Sequence, residues 1–450
     1  MCSSDLYARA LYWDHRYPEA FEAYDELLAG LPTEAIAVDV FGSGTPGSGL
    51  RAELDFEAEL ELSEAVRLEL EAKTNRDWRP ELAISALERL VVVEPANQEA
   101  RFDLAQLLHR RGRTSRAILE YQDLLEVSGG HSEATEALAG ARREVSPHLD
   151  IITGSEERNG RDGLAFIDES WTLTDIAFPF GDRDDYAGLG IGRRSYSTSG
   201  DQLNANVLRL FGATRIGDNT TISGRVEVPS YDRDDLLKDR VYYDVGLHYV
   251  SDDELAVDLR LFSEPLVQNF VTLDRDINRG GARIGLTKKS SRRVDYGGSV
   301  MFANYSDENS QFEGNVFAAY EFTPAPQEFR LLLKGDFSSF SEESIAPPDP
   351  LDLTALAVPY FSPKGYSIYS LQADWKHQFG PDWFTGSKDM YYRATTRGAI
   401  DSNSVGYFEL DVGAAYDFTD WFGVEAGVRM LRSSAIDLTS SNALLTIRWP

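Results

Sequence analysis

One cysteine, Cys2, stands in 450 residues. That excludes a disulfide framework and a cysteine-held metal site, each of which needs more than one thiol. The six histidines, among them His109, His248 and His377, are scattered without metal-ligand spacing, and no metal or cofactor is expected. Basic residues are also short: 44 Lys and Arg stand against 74 Asp and Glu, a formal charge of −30 spread over both halves. Nucleic acid is excluded as a partner, because its phosphates call for Lys and Arg on the surface that binds them. Missing too is any run of about 18 apolar residues, so a membrane helix is excluded. The longest greasy stretch of the first third surrounds Val91, Val92 and Val93.

What is present, from about residue 160 onward, is alternation. Phe312, Gly314, Val316, Ala318, Tyr320 and Phe322 interleave with Gln311, Glu313, Asn315, Ala319 and Glu321, and Phe317 is the one large apolar residue on the polar side. Successive side chains of a strand point to opposite faces, so one face is greasy and the other charged. Strands read at 164–177, 186–197, 203–215, 219–229, 239–250, 254–263, 267–275, 279–288, 293–305, 309–322, 327–340, 366–379, 388–398, 404–418, 421–433 and 438–449. That is about sixteen, the even number a closed bacterial outer-membrane barrel requires, apolar toward lipid and polar toward a lumen. A soluble β-sandwich also alternates. Against it stand the strand lengths, the run of hairpins and the aromatics at strand ends: Tyr242, Tyr243, Tyr249, Phe340, Tyr366, Tyr369, Phe379, Tyr391, Tyr392, Trp421 and Phe422, a set fit for the membrane–water boundary.

Clean alternation assigns faces. Leu255, Val257, Leu259 and Leu261 point to lipid, as do Phe408 to Phe418, Phe422 to Met430 and Ala443 to Trp449 taken in alternate positions. The opposite, pore-lining set holds Arg225, Glu227, Asp258, Arg260, Glu313, Glu321, Lys334, Asp336, Asp374, Lys376, Glu409, Asp411, Asp417, Glu425 and Arg429. Acids outnumber bases in it, which favours cations and weakly basic sugars. The Gly280–Gly281 and Gly297–Gly298 pairs read as strand kinks. Asp234–Asp235 and Asp252–Asp253 read as solvated turn residues.

The first third has helical spacing instead. Tyr17, Pro18, Ala20, Phe21, Tyr24, Leu27 and Pro32 recur as Trp78, Pro80, Leu82, Ala83, Leu87, Leu90 and Pro95, and again as Gly112, Ala117, Ile118, Tyr121 and Leu124. Ala83 and Ala117 are 34 positions apart, which resembles the period of tetratricopeptide repeats, paired helices that stack on small residues. Such repeats serve either as a docking surface or as a spacer. Residues 1–6 match the translation of a sequencing adapter and fit nothing that follows, so residues 7–145 are expected to be an N-terminally truncated repeat domain, with a secretory signal upstream. A linker at 146–163 and a barrel at 164–450 complete the division. The fold class is thus α + β multidomain, an N-terminal α-solenoid of helix pairs before a barrel of about sixteen antiparallel strands.

Helical repeats ahead of such a barrel resemble the outer-membrane exporters of bacterial exopolysaccharides, the outer-membrane subunit of cellulose synthesis and the poly-N-acetylglucosamine export porin. Tyr360, Phe361, Ser362, Pro363 and Tyr366 carry the closest local likeness. The resemblance implies passive passage of a polysaccharide chain through the lumen of a barrel held in outer-membrane lipid. It also implies periplasmic repeats that recruit inner-membrane synthase components or a modifying enzyme. With the repeats periplasmic, the segment 341–365, rich in proline, falls outside as a lid or exit. A general porin or envelope scaffold is the alternative. A lipid-modifying enzyme is a further class, but no serine and histidine share a definable spacing, and no enzyme activity is expected.

Overall fold

The computed structural model describes residue 23 and residues 64–76, 79–180, 185–233, 240–251, 254–291, 293–324, 326–345, 353–354, 356–379, 390–419 and 421–449. The first repeat, the adapter-like residues and the two aspartate pairs lie outside them. Contacts divide the chain into Met1–Arg111 with Arg116–Thr135, and Gly112–Ser115 with Glu136–Pro450.

The helices are α1 (64–75), α2 (Pro80–Val93), α3 (Gln98–Arg110), α4 (Thr114–Val127) and α5 (Ser132–Glu144). Pro80 sits in the first turn of α2, where its missing N–H costs nothing. Asn97 caps α3 by accepting the Ala100 N–H at 3.0 Å. Ala83 and Ala117 are both fully buried. Ion pairs link the helices: α1 to α3 by Lys73–Glu99 at 3.0 Å, α2 to α4 by Arg116–Glu88 at 2.6 Å, α3 to α4 by Arg101–Glu120 at 3.3 Å.

The strands are β1 (His148–Gly160), β2 (Ala165–Phe180), β3 (Asp185–Ser197), β4 (Gln202–Ile216), β5 (Thr220–Tyr231), β6 (Tyr242–Val250), β7 (Leu255–Pro265), β8 (Asn278–Lys289), β9 (Val294–Tyr305), β10 (Ser310–Thr323), β11 (Gln327–Phe340), β12 (Tyr366–Gln378), β13 (Tyr391–Asp401), β14 (Gly406–Thr419), β15 (Phe422–Ser433) and β16 (Ile436–Arg448). They form one closed barrel in which every neighbour is antiparallel and β1 pairs with β16, from His148 opposite Arg448 to Gly160 opposite Ile436. Closure leaves no unpaired edge.

Sixteen is reached by a different route from the one the sequence suggests. Residues 146–163 are no linker: β1 occupies most of them. Its outward positions past Ile151 are Thr153, Ser155, Glu157 and Asn159, so the apolar half of the alternation is missing. Residues 267–275 are no strand: Phe270–Asp274 is a helical turn, α6, held by an Asn269–Thr272 capping box. Val267, Phe270, Val271 and Leu273 mimic a strand because the segment is covered on several sides. The two departures cancel before β11, and 341–365 keeps its odd parity. Between β2 and β7, however, the connections change ends: the one after Ser197 lies at the same end as 341–365. That end is called the far end below, and the end with His148 and Arg448 the near end.

The outward apolar belt is uneven. On β14 it runs through Phe408, Leu410, Val412, Ala414, Tyr416 and Phe418. On β1 it holds only Leu149 and Ile151, and on β2 Ile176, Phe178 and Phe180 give way to Thr174, Thr172, Ser170 and Asp168. Ser441 extends this polar stretch on β16, its hydroxyl 3.0 Å from that of Ser155.

Candidate functional site in the barrel lumen

The face opposite the belt is a mesh of paired charges. Arg225 (3.7 Å) and Arg260 converge on Asp244. Glu227 meets Arg194 at 3.0 Å, Asp258 meets His248 at 2.7 Å, and Glu313 meets Arg283 at 3.4 Å. A chain of contacts crosses four strands: Lys334 to Asp336 at 2.7 Å, Asp336 to Arg397 at 3.2 Å, Arg397 to Glu409 at 3.6 Å, Glu409 to Arg429 at 2.7 Å. Asp411 meets Arg393 and Asp417 meets Arg448, both at 3.2 Å. Asp374 accepts from Gln372 and Thr395, Glu425 accepts from the Tyr391 hydroxyl, and Lys376 stands 4.9 Å from the centre of the Tyr391 ring. Glu321 faces Arg330 in register, and Arg330 reaches Asp295 at 2.6 Å.

Sequence reasoning passed over Arg194, Arg209, Arg283, Arg330, Arg393, Arg397 and Arg448. Their strand parity was readable, but the alternation around them is less clean. Asp175, Asp244 and Asp295 were passed over with them, so the acid surplus of this face shrinks and most of its named carboxylates have a cationic partner. Several pairs skip a strand, and glycine makes the room. Asp175 of β2 and Arg209 of β4 pair across Gly190 of β3, where a Cβ would sit 1.9 Å from the Asp175 carboxylate. Gly297 does the same for a ring, because a Cβ there would fall 2.9 Å from Phe317.

Not every aromatic at a strand end is in the girdle. Tyr243, Tyr249, Tyr369, Tyr392 and Trp421 are exposed on the outer face, and His377 stands beside Tyr392, its Nδ1 2.9 Å from the hydroxyl. Tyr242, Phe340, Tyr366 and Tyr391 instead share the charged, inner face. Alternation at a strand terminus rests on one or two residues, so its parity is easily misjudged.

At the far end the inner face turns apolar. Ile167, Leu173, Tyr196, Leu203, Val207 and Tyr231 of β2 to β5 close around Leu273 of α6. Phe262, Met301, Ala303, Tyr305 and Phe340 of β7, β9 and β11 close around Leu266, Ile277, Val358 and Tyr360. Two connections, 266–277 and the described part of 341–365, therefore fold into the barrel end and fill it. Asn269 joins them: its amide nitrogen donates to the carbonyls of Leu164 and Pro359, while its oxygen accepts the Thr272 N–H at 3.0 Å. Arg275 donates to the carbonyls of Thr354 and Leu356.

The tyrosine–phenylalanine–serine–proline motif is part of this filling. Tyr360 is fully buried, stacked on Tyr305 at 5.3 Å and 10°. Its hydroxyl accepts from Asn309 at 3.0 Å and donates to Asp307 at 3.2 Å, and burial pushes its pKa above the usual phenol range. The Phe361 N–H donates to Gln268, its ring lies 4.1 Å under the Arg161 guanidinium, and Ser362 is fully buried. The Pro363 carbonyl accepts the Phe340 N–H at 3.1 Å. Arg161 also donates to the hydroxyls of Tyr366 at 2.8 Å and Tyr407 at 2.7 Å, and both tyrosines donate to Asp401 at 2.7 Å. This arrangement fastens the β1–β2 turn to β12 and β14.

No family model and no curated protein matches the chain. Solved structures do. A bacterial polysaccharide outer membrane secretin covers 68% of this chain over 99% of its own, at 14% identity and a TM-score of 0.50. The shared fold is a closed antiparallel β-barrel of the kind seen in that outer-membrane protein. OpdO of Pseudomonas aeruginosa and OccAB3 of Acinetobacter baumannii also cover 68% of this chain, and 96% and 99% of their own. Their identities are 13% and 11%, their TM-scores 0.37 and 0.33. Such identities concern the barrel architecture alone.

Proposed function

We propose that this protein conducts an exopolysaccharide out of the cell through its barrel, while its helices, read as tetratricopeptide-like repeats, dock the machinery that makes or modifies the polymer. The observation that carries the reading is the lumen: densely hydrogen-bonding, with most of its named carboxylates paired to cations, and filled at one end by segments of the same chain. A neutral, hydroxyl-rich chain can slide along paired carboxylates and guanidiniums without being held by net charge. The fold shared with a polysaccharide outer membrane secretin supports the same view. In this reading the near end and the helices are periplasmic, and the far end is the exit. Removing residues 7–145 should leave barrel conductance unchanged and abolish polymer secretion from cells. Normal secretion by the shortened chain would defeat the docking role and favour a general porin.

A further inference from the structure

We infer that the inner wall between β5 and β10 carries a subsite for one uncharged sugar ring, with Phe317 as its stacking face. The inference rests on the polymer-conducting reading above and adds a place where the chain is held. Phe317 is the large apolar side chain that breaks the polar face of β10, between Asn315 and Ala319. Its ring leans over Gly297 of β9, so backbone covers one side. The residue is only half-buried, which leaves ring surface toward the lumen. Beside it the wall recedes into a hollow of about 540 Å³, within the ~300–1,000 Å³ of small-ligand clefts. Gly246 and Gly285 keep that hollow open. A Cβ at Gly285 would meet only ordinary contacts, 3.6 Å from Asp258 and 3.8 Å from Ser299, so local packing does not demand glycine there.

The rim has the chemistry of a hydroxyl-rich ligand. Asn315 donates to Ser299 at 2.6 Å, and the amide keeps its other donor and acceptor sites. Asp244 with Arg260 and Asp258 with His248 line the same hollow, and Arg283, itself paired with Glu313, joins them. Each pair sets a donor beside an acceptor, as vicinal hydroxyls require. A pyranose ring, apolar across its axial C–H face and polar at its edge, matches an aromatic face with such a rim.

The test uses the purified full-length protein in detergent and hexasaccharides of glucose, N-acetylglucosamine and galacturonic acid, followed by calorimetry and saturation-transfer NMR. At least one neutral hexasaccharide should bind and the galacturonate should not. Phe317→Ala should weaken binding about tenfold while Phe317→Trp keeps it within about twofold. Gly285→Leu should abolish it by filling the hollow. Heat-modifiable gel migration confirms that each variant is folded. No binding of either neutral sugar by the parent, or equal binding by Phe317→Ala, overturns the subsite. Secretion by a strain lacking the gene separates the two ideas. If secretion is lost in that strain but binding ignores Phe317, the subsite fails and export stands. If secretion continues unchanged, export fails whatever the binding shows.

Discussion

Single residues act here mainly through what they leave free. Gly190 leaves the space through which Asp175 reaches Arg209 over an intervening strand. A valine there should separate two nearly buried charges, at a cost of about 3 kcal/mol. Gel migration against temperature would register this as unfolding at a clearly lower temperature than the parent, and an unchanged midpoint would remove the pair from the stability of the wall. Asn269 works the other way, by supplying bonds. Its replacement by alanine leaves buried carbonyls without a donor, at about 1–3 kcal/mol each. Single-channel recording should then find the far end open for more of the time, and a trace identical to the parent would show that Asn269 does not hold the filling in place. Neither role could be read from the sequence. Gly190 looked like any strand glycine, and Asn269 lay inside a stretch that alternated like a strand. By contrast, the face of each acidic candidate on β10 or β14 was legible, because five or six alternations in a row leave no doubt of parity.

Among elements, the strands were legible wherever one side meets lipid and the other water, since only then does the pattern have two distinct halves. β1 departs from that rule because its outward side is mostly hydroxylated and acidic. The 266–277 segment departs from it because Leu266, Leu273 and Ile277 are surrounded within the barrel. The long connection after β11 was recognised by its length and prolines, but its inward fold and its partnership with α6 came from contacts between residues some 90 positions apart. Deleting most of 342–358 while keeping Tyr360 to Tyr366 removes Val358 and the carbonyls that Arg275 grips. Conductance should rise, and the barrel should still migrate as folded on unheated gels. An unchanged conductance would mean that the 266–277 segment alone occludes the lumen.

Across the whole molecule, a chain of charge −30 encloses an inner surface whose carboxylates are largely matched by arginines drawn from neighbouring strands. Reading only the cleanest strands overweights the acids, and the further arginines reduce the charge available to favour cations. Under a salt gradient, planar-bilayer recordings should give a reversal potential close to zero with a slight cation bias, because field focusing by a low-dielectric wall needs a net charge to focus. A large cation or anion potential would mean that the pairs come apart in the open pore. The outer surface has a consequence of its own. Where β1 meets β16 and β2, the belt is shallower than on β14, and lipid tails must shorten or tilt to meet it, at fractions of a kcal/mol per Å of mismatch. The bilayer is therefore thinner beside the junction that joins the two ends of the sheet than beside β14. The last pair of strands to zip together would do so where the surrounding membrane resists less.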